Sequence, residues 1–252
     1  MSSDTLSALD AFFAEGWITD VLYEVKSGKE ATVYCCAGNP AKGQEQGEGR
    51  PLFAAKIYRS RQRRDFKNDA VYQQGRVIND RRMRRAFERK TAFGREVQAT
   101  AWTGHEFDTL RRLHAAGAAV PRPVSSAPDA ILMDYVGDEH GAAAPLHAVS
   151  PAPDEARRLF GHVMRDIELW LACDCIHGDL SAFNMLYWRG AVTVIDFPQA
   201  VDPRANPSAY DLLARDIANV CRYFARQGVQ AARSDPARLA DALWRRFMRA
   251  EL

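Results

Sequence analysis

Two acids and a carboxamide at fixed spacing carry the chemistry open to this chain. The segment Ile176-His177-Gly178-Asp179-Leu180-Ser181-Ala182-Phe183-Asn184 sets a carboxylate five residues ahead of an amide side chain. A short apolar hairpin later, Val194-Ile195-Asp196-Phe197 ends an apolar strand in a second acid. These residue types at this spacing suit phosphoryl transfer, with Asp179 facing the attacking hydroxyl while Asn184 and Asp196 converge on a Mg²⁺ that bridges the phosphates of ATP. Mg²⁺ prefers hard oxygen ligands and keeps several waters, so two protein oxygens are enough beside the phosphates. The competing reading, polar turn residues flanking ordinary strands, leaves the joint spacing of the His, both Asp and the Asn unexplained.

Such groups need elements that bring them together. Met185–Tyr187 and Ala191–Ile195 are expected to pair as a hairpin turned at Arg189-Gly190, so that Asn184 and Asp196 flank its two ends. Ahead of them, Leu159, Val163, Ile167 and Leu171 recur at helical spacing, which predicts a buried helix from Asp154, taken as its N-cap, to Cys173. Helices near Ala209–Arg226 and Pro236–Leu252 close the chain. In the first half, Val21–Val25 and Ala31–Ala37 predict two strands around the turn Lys26-Ser27-Gly28-Lys29-Glu30, and Leu52–Tyr58, which contains Lys56, predicts a third. Leu6, Leu9, Phe12 and Phe13 mark an amphipathic helix in the first fifteen residues, ended by Gly16. A helix carrying Glu106 presents Val97, Ala101, Leu110 and Leu113 and stops at Gly117, before Pro121 and Pro123. The strand Ala130–Tyr135 then runs into Val136-Gly137-Asp138, a natural hinge. Strands gathered early and helices gathered late predict an α+β arrangement in two lobes with nucleotide between them.

Composition narrows the classes. A chain of 252 residues with 47% apolar and 26% charged residues suits one large domain or two small lobes. Its apolar runs are far too short to cross a bilayer, so no membrane partner is expected. The start, Met1-Ser2-Ser3-Asp4, lacks the basic and apolar pattern of a secretory signal, and a cytoplasmic location is the expectation. Five cysteines, at Cys35-Cys36, Cys173-x-Cys175 and Cys221, fit neither a disulfide framework nor zinc-ligand spacing and are expected to be reduced thiols. The net charge of +2 conceals a basic block: residues 59–95 hold 13 Lys or Arg against 4 Asp or Glu. That block is either a solvated insertion or an arm that meets RNA, an acidic protein or substrate phosphates. The Gly, Gln and Glu-rich stretch Gly38–Arg50 is expected to be an exposed hairpin loop.

Taken together, Ser27-Gly28-Lys29-Glu30-Ala31, Ala55-Lys56-Ile57-Tyr58, Ala116-Gly117 with Val120-Pro121-x-Pro123, and Asp179-Leu180-Ser181-x-x-Asn184-Met185-Leu186-Tyr187 resemble the RIO family of atypical serine/threonine kinases. The resemblance continues through Val194-Ile195-Asp196, Gln199-x-Val201 and Arg215-Asp216-Ile217-Ala218-Asn219-Val220. It covers roughly residues 20 to 226 and is nearest to the subgroup whose eukaryotic members mature the small ribosomal subunit. It implies a two-lobed protein-kinase-like fold, with an N-terminal helix over 1–18, a small β-rich nucleotide-binding lobe over 19–135 and a helical catalytic lobe over 136–252. The second lobe lacks an activation loop and a peptide-docking region, and only about a dozen residues separate Asp196 from the next helix.

The resemblance also implies roles. Ser27 and nearby N–H groups lie near the phosphates, and Lys56 contacts the α- and β-phosphates and pairs with Glu106. Met133, Tyr135 and Val136 present main-chain groups to the adenine. Asp179 is the catalytic acid, Asn184 and Asp196 hold the metal, and Asp196 can itself accept the phosphoryl group. Asp216 is placed to anchor the catalytic loop from below. Phe197-Pro198 departs from the family pattern, which usually has Ser at the second position. The expected function is an ATP- and Mg²⁺-dependent serine/threonine kinase acting on a protein substrate or on itself, or hydrolysing ATP through an aspartyl-phosphate. Two alternatives share these motifs: a small-molecule phosphotransferase of the aminoglycoside or choline kinase type, and an ATP-gated assembly factor meeting RNA or a ribosomal particle through residues 59–95.

Overall fold

A computed structural model of the chain describes residues 3–42, 50–59 and 92–252. The expected loop over Gly38–Arg50 therefore falls largely, and the basic block over 59–95 almost wholly, outside the described residues. Two compact units divide the chain; among the described residues, 3–59, 92–108 and 121–142 belong to the first, and 109–120 and 143–252 to the second.

The first unit is built on an antiparallel sheet of five strands, β1 (Ile18–Ser27), β2 (Ala31–Gly38), β3 (Leu52–Tyr58), β4 (Pro123–Ala127) and β5 (Ala130–Asp134), in the order β1-β2-β3-β5-β4. Lys56 lies on the middle strand, in register with Val33 on one side and Ile131 on the other. Helix α1 (Ser3–Ala14) contributes Leu9 and Phe12 to a core with Ile18, Cys36, Phe53 and Leu132, whereas Phe13 stays at the surface. Strand β4 was not anticipated, because Pro121 and Pro123 signal a helix stop and not a strand. It is an edge strand, where a missing proline N–H costs no ladder hydrogen bond. The expected hinge also forms a small strand pair, β6 (Gly137–Asp138) with β7 (Gly141–Ala142), and stays with the first unit. Glycine is required at 137: its φ is +146°, and a Cβ there would sit 2.4 Å from the Gly141 carbonyl oxygen.

Helix α2 (Ala92–Ala115) begins within the last four residues of the basic block, and Leu110 and Leu113 toward its end are buried. In the second unit, strands β8 (Ala144–Pro145), β9 (Met185–Trp188) and β10 (Ala191–Val194) form a small sheet in the order β10-β9-β8. Arg189 and Gly190 both adopt positive φ at the β9–β10 turn, as the hairpin requires. Helix α3 (Pro153–Ala172) buries Leu159, Val163, Ile167 and Leu171, the face its periodicity predicts. Its N-cap is Ala152, with Pro153 in the first turn; the Asp154 cap is corrected, since a proline pre-set at helical φ starts the helix two residues earlier. Helix α4 (Ala209–Arg226) packs Phe224 edge-on against Phe160 of α3, and α5 (Pro236–Met248) ends four residues short of the expected end. All five cysteines are free thiols. Among the described residues no helix is long and apolar enough to cross a membrane.

Candidate active site

The second unit gathers Asp179, Asn184 and Asp196 through a hydrogen-bonded loop. Its backbone rests on Asp216, a carboxylate only 2% exposed on α4. One oxygen of Asp216 accepts from the Gly178 N–H at 2.8 Å and the other from the Leu180 N–H at 2.9 Å, so the peptides on either side of Asp179 are fixed from below. Burial pushes the Asp216 carboxyl up to about 7, against the two N–H donors and the Arg215 charge, which pull it down. Arg215 donates to the Gly178 carbonyl and the Asn219 amide to the Leu180 carbonyl, at 3.0 Å for the latter. No role for Arg215 or Asn219 follows from sequence. Their position beside Asp216, one residue before and three after on the same helix, was the available signal.

His177 locks the loop to the metal strand. The Asp179 N–H donates to His177 Nδ1 at 3.2 Å, which leaves the ring proton on Nε2, 3.2 Å from the Ile195 carbonyl. With both ring nitrogens occupied and its ring against Phe197, at 4.5 Å between centroids, His177 holds the loop and is not the base. Phe197, fully buried, also packs edge-on to Trp170. The aromatic after Asp196 is thus a core anchor, and Pro198 beside it is buried too.

The catalytic candidates themselves are accessible. Asp179 is exposed, yet desolvation and the neighbouring Asp196 charge raise its carboxyl above the usual value, while Arg215 opposes them. A raised pKa strengthens a carboxylate as a proton acceptor at neutral pH. Asn184 donates its amide N–H to the Asp179 carbonyl at 2.9 Å, and the Asn184 carbonyl accepts from the Ile195 N–H at 2.9 Å. The first contact assigns the amide orientation. The Asn184 Oδ1 accepts no hydrogen bond among the described residues. Asp196 has φ +74°, a left-handed backbone rare outside glycine. Observed at a candidate metal acid, that strain fits a residue held for function. Among the described residues no group of three His, Cys, Asp or Glu could hold a metal by itself. A pair of oxygen ligands, Asn184 and Asp196, matches a Mg²⁺ whose remaining positions come from phosphates and water.

The first unit carries the other predicted residues. The Lys56 ammonium lies 2.8 and 3.0 Å from the two oxygens of Glu106, with exposures of 12% and 1%. A buried carboxylate costs several kcal/mol unless paired, and Lys56 supplies that pairing across the sheet face. Ser27 closes β1, 3.3 Å from Thr32 Oγ1 and within reach of the Arg59 guanidinium at 2.5 Å. Met133 pairs with Ala54 within the sheet, and the Tyr135 N–H donates to the Leu52 carbonyl at 3.2 Å. Val136, just past the strand, makes no main-chain hydrogen bond among the described residues. The Tyr135 hydroxyl meets that of Tyr23 at 2.8 Å, a pair that fastens the strand end to β1 and that sequence reasoning missed.

Comparison with known proteins places this geometry. The model of the RIO domain family matches residues 32–237. The RIO-type serine/threonine-protein kinase Rio1 of Haloferax volcanii is 31% identical over 228 residues, covering 90% of this chain and 71% of that protein. The serine/threonine-protein kinase rio1 of Schizosaccharomyces pombe is 31% identical over 213 residues, covering 84% of this chain but only 39% of its own length. This chain therefore spans about two fifths of that yeast relative. Among solved structures, the Rio2 kinase of Chaetomium thermophilum in an ADP/Mg²⁺-phosphoaspartate complex aligns with a TM-score of 0.63 at 23% identity, covering 94% of this chain and 68% of that one. That likeness fixes the kinase-like α+β fold.

Proposed function

The chain belongs to the RIO domain family, and from that premise we propose that it is an ATP- and Mg²⁺-dependent serine/threonine kinase, acting on a protein or on itself and hydrolysing ATP through a phosphorylated Asp196. The observation that carries the proposal is the second unit's loop: Asp216 and His177 hold the backbone around Asp179, the Asn184 amide bonds the Asp179 carbonyl, and His177 and the Asn184 carbonyl both bond Ile195, the residue before Asp196. Asn184 Oδ1 and the Asp196 carboxylate would hold Mg²⁺, which supplies charge neutralisation on the transferring phosphate. The remaining work falls to side chains. Lys56, oriented by Glu106, neutralises the inner phosphates, Ser27 and adjacent N–H groups cover them, and Val136 meets the base with Met133 and Tyr135 framing it. Asp179 accepts the proton of the acceptor hydroxyl as its oxygen bonds the γ-phosphorus and the bond to the β-phosphate oxygen breaks, releasing ADP.

On the alternative branch, an Asp196 carboxylate oxygen takes the phosphoryl group and water later removes it, giving phosphate. The Chaetomium Rio2 structure, described as a phosphoaspartate complex, supports that branch. Between β8 and the catalytic loop stand a single 3₁₀ turn and α3, which supports a protein or internal acceptor over the helical acceptor lobe of aminoglycoside and choline kinases. The proposal extends to the basic block, residues 59–95, as an arm for RNA or a ribosomal particle, supported by its charge alone, and to a cytoplasmic location.

The test is incubation with Mg²⁺ and γ-labelled ATP, comparing the wild type with Asp179→Asn and Asp196→Asn. Transfer is expected to fall about 10²–10⁴-fold in each variant. Acid-stable label marks Ser/Thr phosphorylation, and hydroxylamine-sensitive label marks Asp196. Neither label nor free phosphate from the wild type, despite ATP binding, would overturn the proposal.

A further inference from the structure

Only twelve residues separate Asp196 from α4, and they fold into tight turns, with Val201 bridging Ile176 and Asn206 N–H donating to the Asp202 carbonyl. Among the described residues this stretch holds no helix or strand, and α4 follows directly with one face exposed. That face is basic. Arg215, Arg222 and Arg226 are all exposed and fall within one helical stripe, since offsets of seven and four residues return to nearly the same side.

The stripe begins at the catalytic loop. Arg215 donates to the carbonyl of Gly178, the residue before Asp179, and Arg222 donates to Asn219 Oδ1 at 3.0 Å while Asn219 in turn holds the Leu180 carbonyl. Asp211, a turn before Arg215, is the acid of this face, and among the described residues no carboxylate forms an ion pair with Arg222 or Arg226. Beside the stripe, the catalytic loop exposes Phe183, 59% accessible, with its ring 4.0 Å from that of His147. In the chain, Phe183 stands between the candidate base and the metal-side Asn, where an accepting segment would pass.

We propose that the α4 stripe of Arg215, Arg222 and Arg226 docks an acidic segment of the protein acceptor, with the Phe183–His147 pair covering the chain next to the accepting hydroxyl. This inference rests on the kinase reading and names its substrate class. Along the helix, Arg222 and Arg226 lie about 10 and about 16 Å beyond Arg215. An extended peptide rises about 3.3 Å per residue, so its acids fall about three and about five positions from the Ser or Thr at Asp179. A protein acceptor is favoured over RNA because the stripe leads to a base positioned for a hydroxyl acceptor and because a single aromatic pair, not a series of stacking platforms, accompanies it.

The test uses fluorescent serine peptides with Asp at positions three and five, on either side, against the same peptides with Asn. Anisotropy gives Kd and a coupled assay gives KM and kcat, for the wild type, for Arg222→Ala/Arg226→Ala and for Arg222→Lys/Arg226→Lys. Acidic peptides are expected to bind more tightly than neutral ones. The alanine variant should raise their Kd and KM about three- to tenfold in a salt-sensitive way, and the lysine variant should recover most of the loss. Equal affinity for acidic and neutral peptides, or indifference to the alanine pair, would overturn the inference. So would a single-stranded oligouridine that binds the stripe and displaces the acidic peptide. Peptide-free ATP hydrolysis and autophosphorylation are followed in parallel; their absence in the wild type sinks the kinase reading, while the anisotropy still decides the stripe.

Discussion

Among the described residues each unit of this protein buries one carboxylate almost completely, and the two are neutralised in opposite ways. In the first unit Glu106 faces the ammonium of Lys56, a flexible side chain on the central strand. In the second, Asp216 faces two backbone N–H groups of the catalytic loop. A side-chain partner can be shared with a ligand: Lys56 keeps its position through Glu106, and on the proposed reading it would offer charge to a phosphate as well. Main-chain partners cannot be shared in that way, so Asp216 fixes the shape of a loop whose other atoms do the chemistry. The same residue class thus orients a mobile cation in one unit and preorganises a backbone in the other.

Removing the partner separates the two designs most sharply. Lys56→Ala leaves Glu106 buried without its cation, and a loss of about 3–5 kcal/mol of stability is expected from breaking such a pair. Lys56→Met combined with Glu106→Leu should recover most of that stability, because no unpaired charge remains, while ATP affinity stays lost. Urea unfolding of the three proteins beside nucleotide binding checks this. If the double variant regained nucleotide binding, Lys56 would be a structural cation and the comparison would collapse.

Those two designs were unequally visible in the sequence. Lys56 and Glu106 lie 50 residues apart, and only the resemblance to a known family joined them; nothing in helical or strand periodicity does so. Asp179, Asn184 and Asp196 were legible because a short loop and a tight hairpin fix their separation within about twenty residues, and the Arg189-Gly190 turn set the register. The large elements followed from periodicity. Strand β4 did not, since prolines in an edge strand look like a helix stop, and neither did the cap of α3, where Asp154 and Pro153 offer competing start signals. Hydrogen bonds from Arg215 and Asn219 to loop carbonyls escaped because polar residues on a helix are as common at its solvated face as at a contact. The Tyr23–Tyr135 bond spans 112 positions and leaves no local trace.

A smaller effect is expected at Asp216. Asp216→Asn keeps one acceptor oxygen but turns an NH₂ toward the second N–H donor, so one buried donor goes unmet at a cost of about 1–3 kcal/mol. The pH dependence adds a signature that Lys56 variants lack. The folded carboxyl binds its proton more tightly than the unfolded chain does, with a pKa raised from 3.8 to about 7. Its contribution therefore favours the fold most at the acid end and declines as pH rises through that window. In the asparagine variant this decline should vanish from a plot of thermal midpoint against pH. An unchanged slope would mean that the native Asp216 stays ionised throughout, held by its two N–H donors more strongly than burial opposes them.

The smallest effect isolates a backbone clamp with no charge in it. The Tyr223 hydroxyl of α4 shares its one proton between the Leu146 and Val149 carbonyls, at 2.8 and 3.0 Å, while its ring packs on Phe224. Tyr223→Phe keeps the ring and removes only the donor, so a cost of about 1 kcal/mol is expected. Because the Leu146–Ala148 turn carries His147, whose N–H donates to the Ala182 carbonyl, loosening it should reach the catalytic loop. Phosphoryl transfer would then fall a few-fold with nucleotide affinity intact. That pattern would place Tyr223 with Asp216 as a device that shapes the loop, distinct from the Lys56 pair proposed to meet a ligand. A fall in nucleotide affinity with transfer rate preserved would put the clamp on the other side of the comparison.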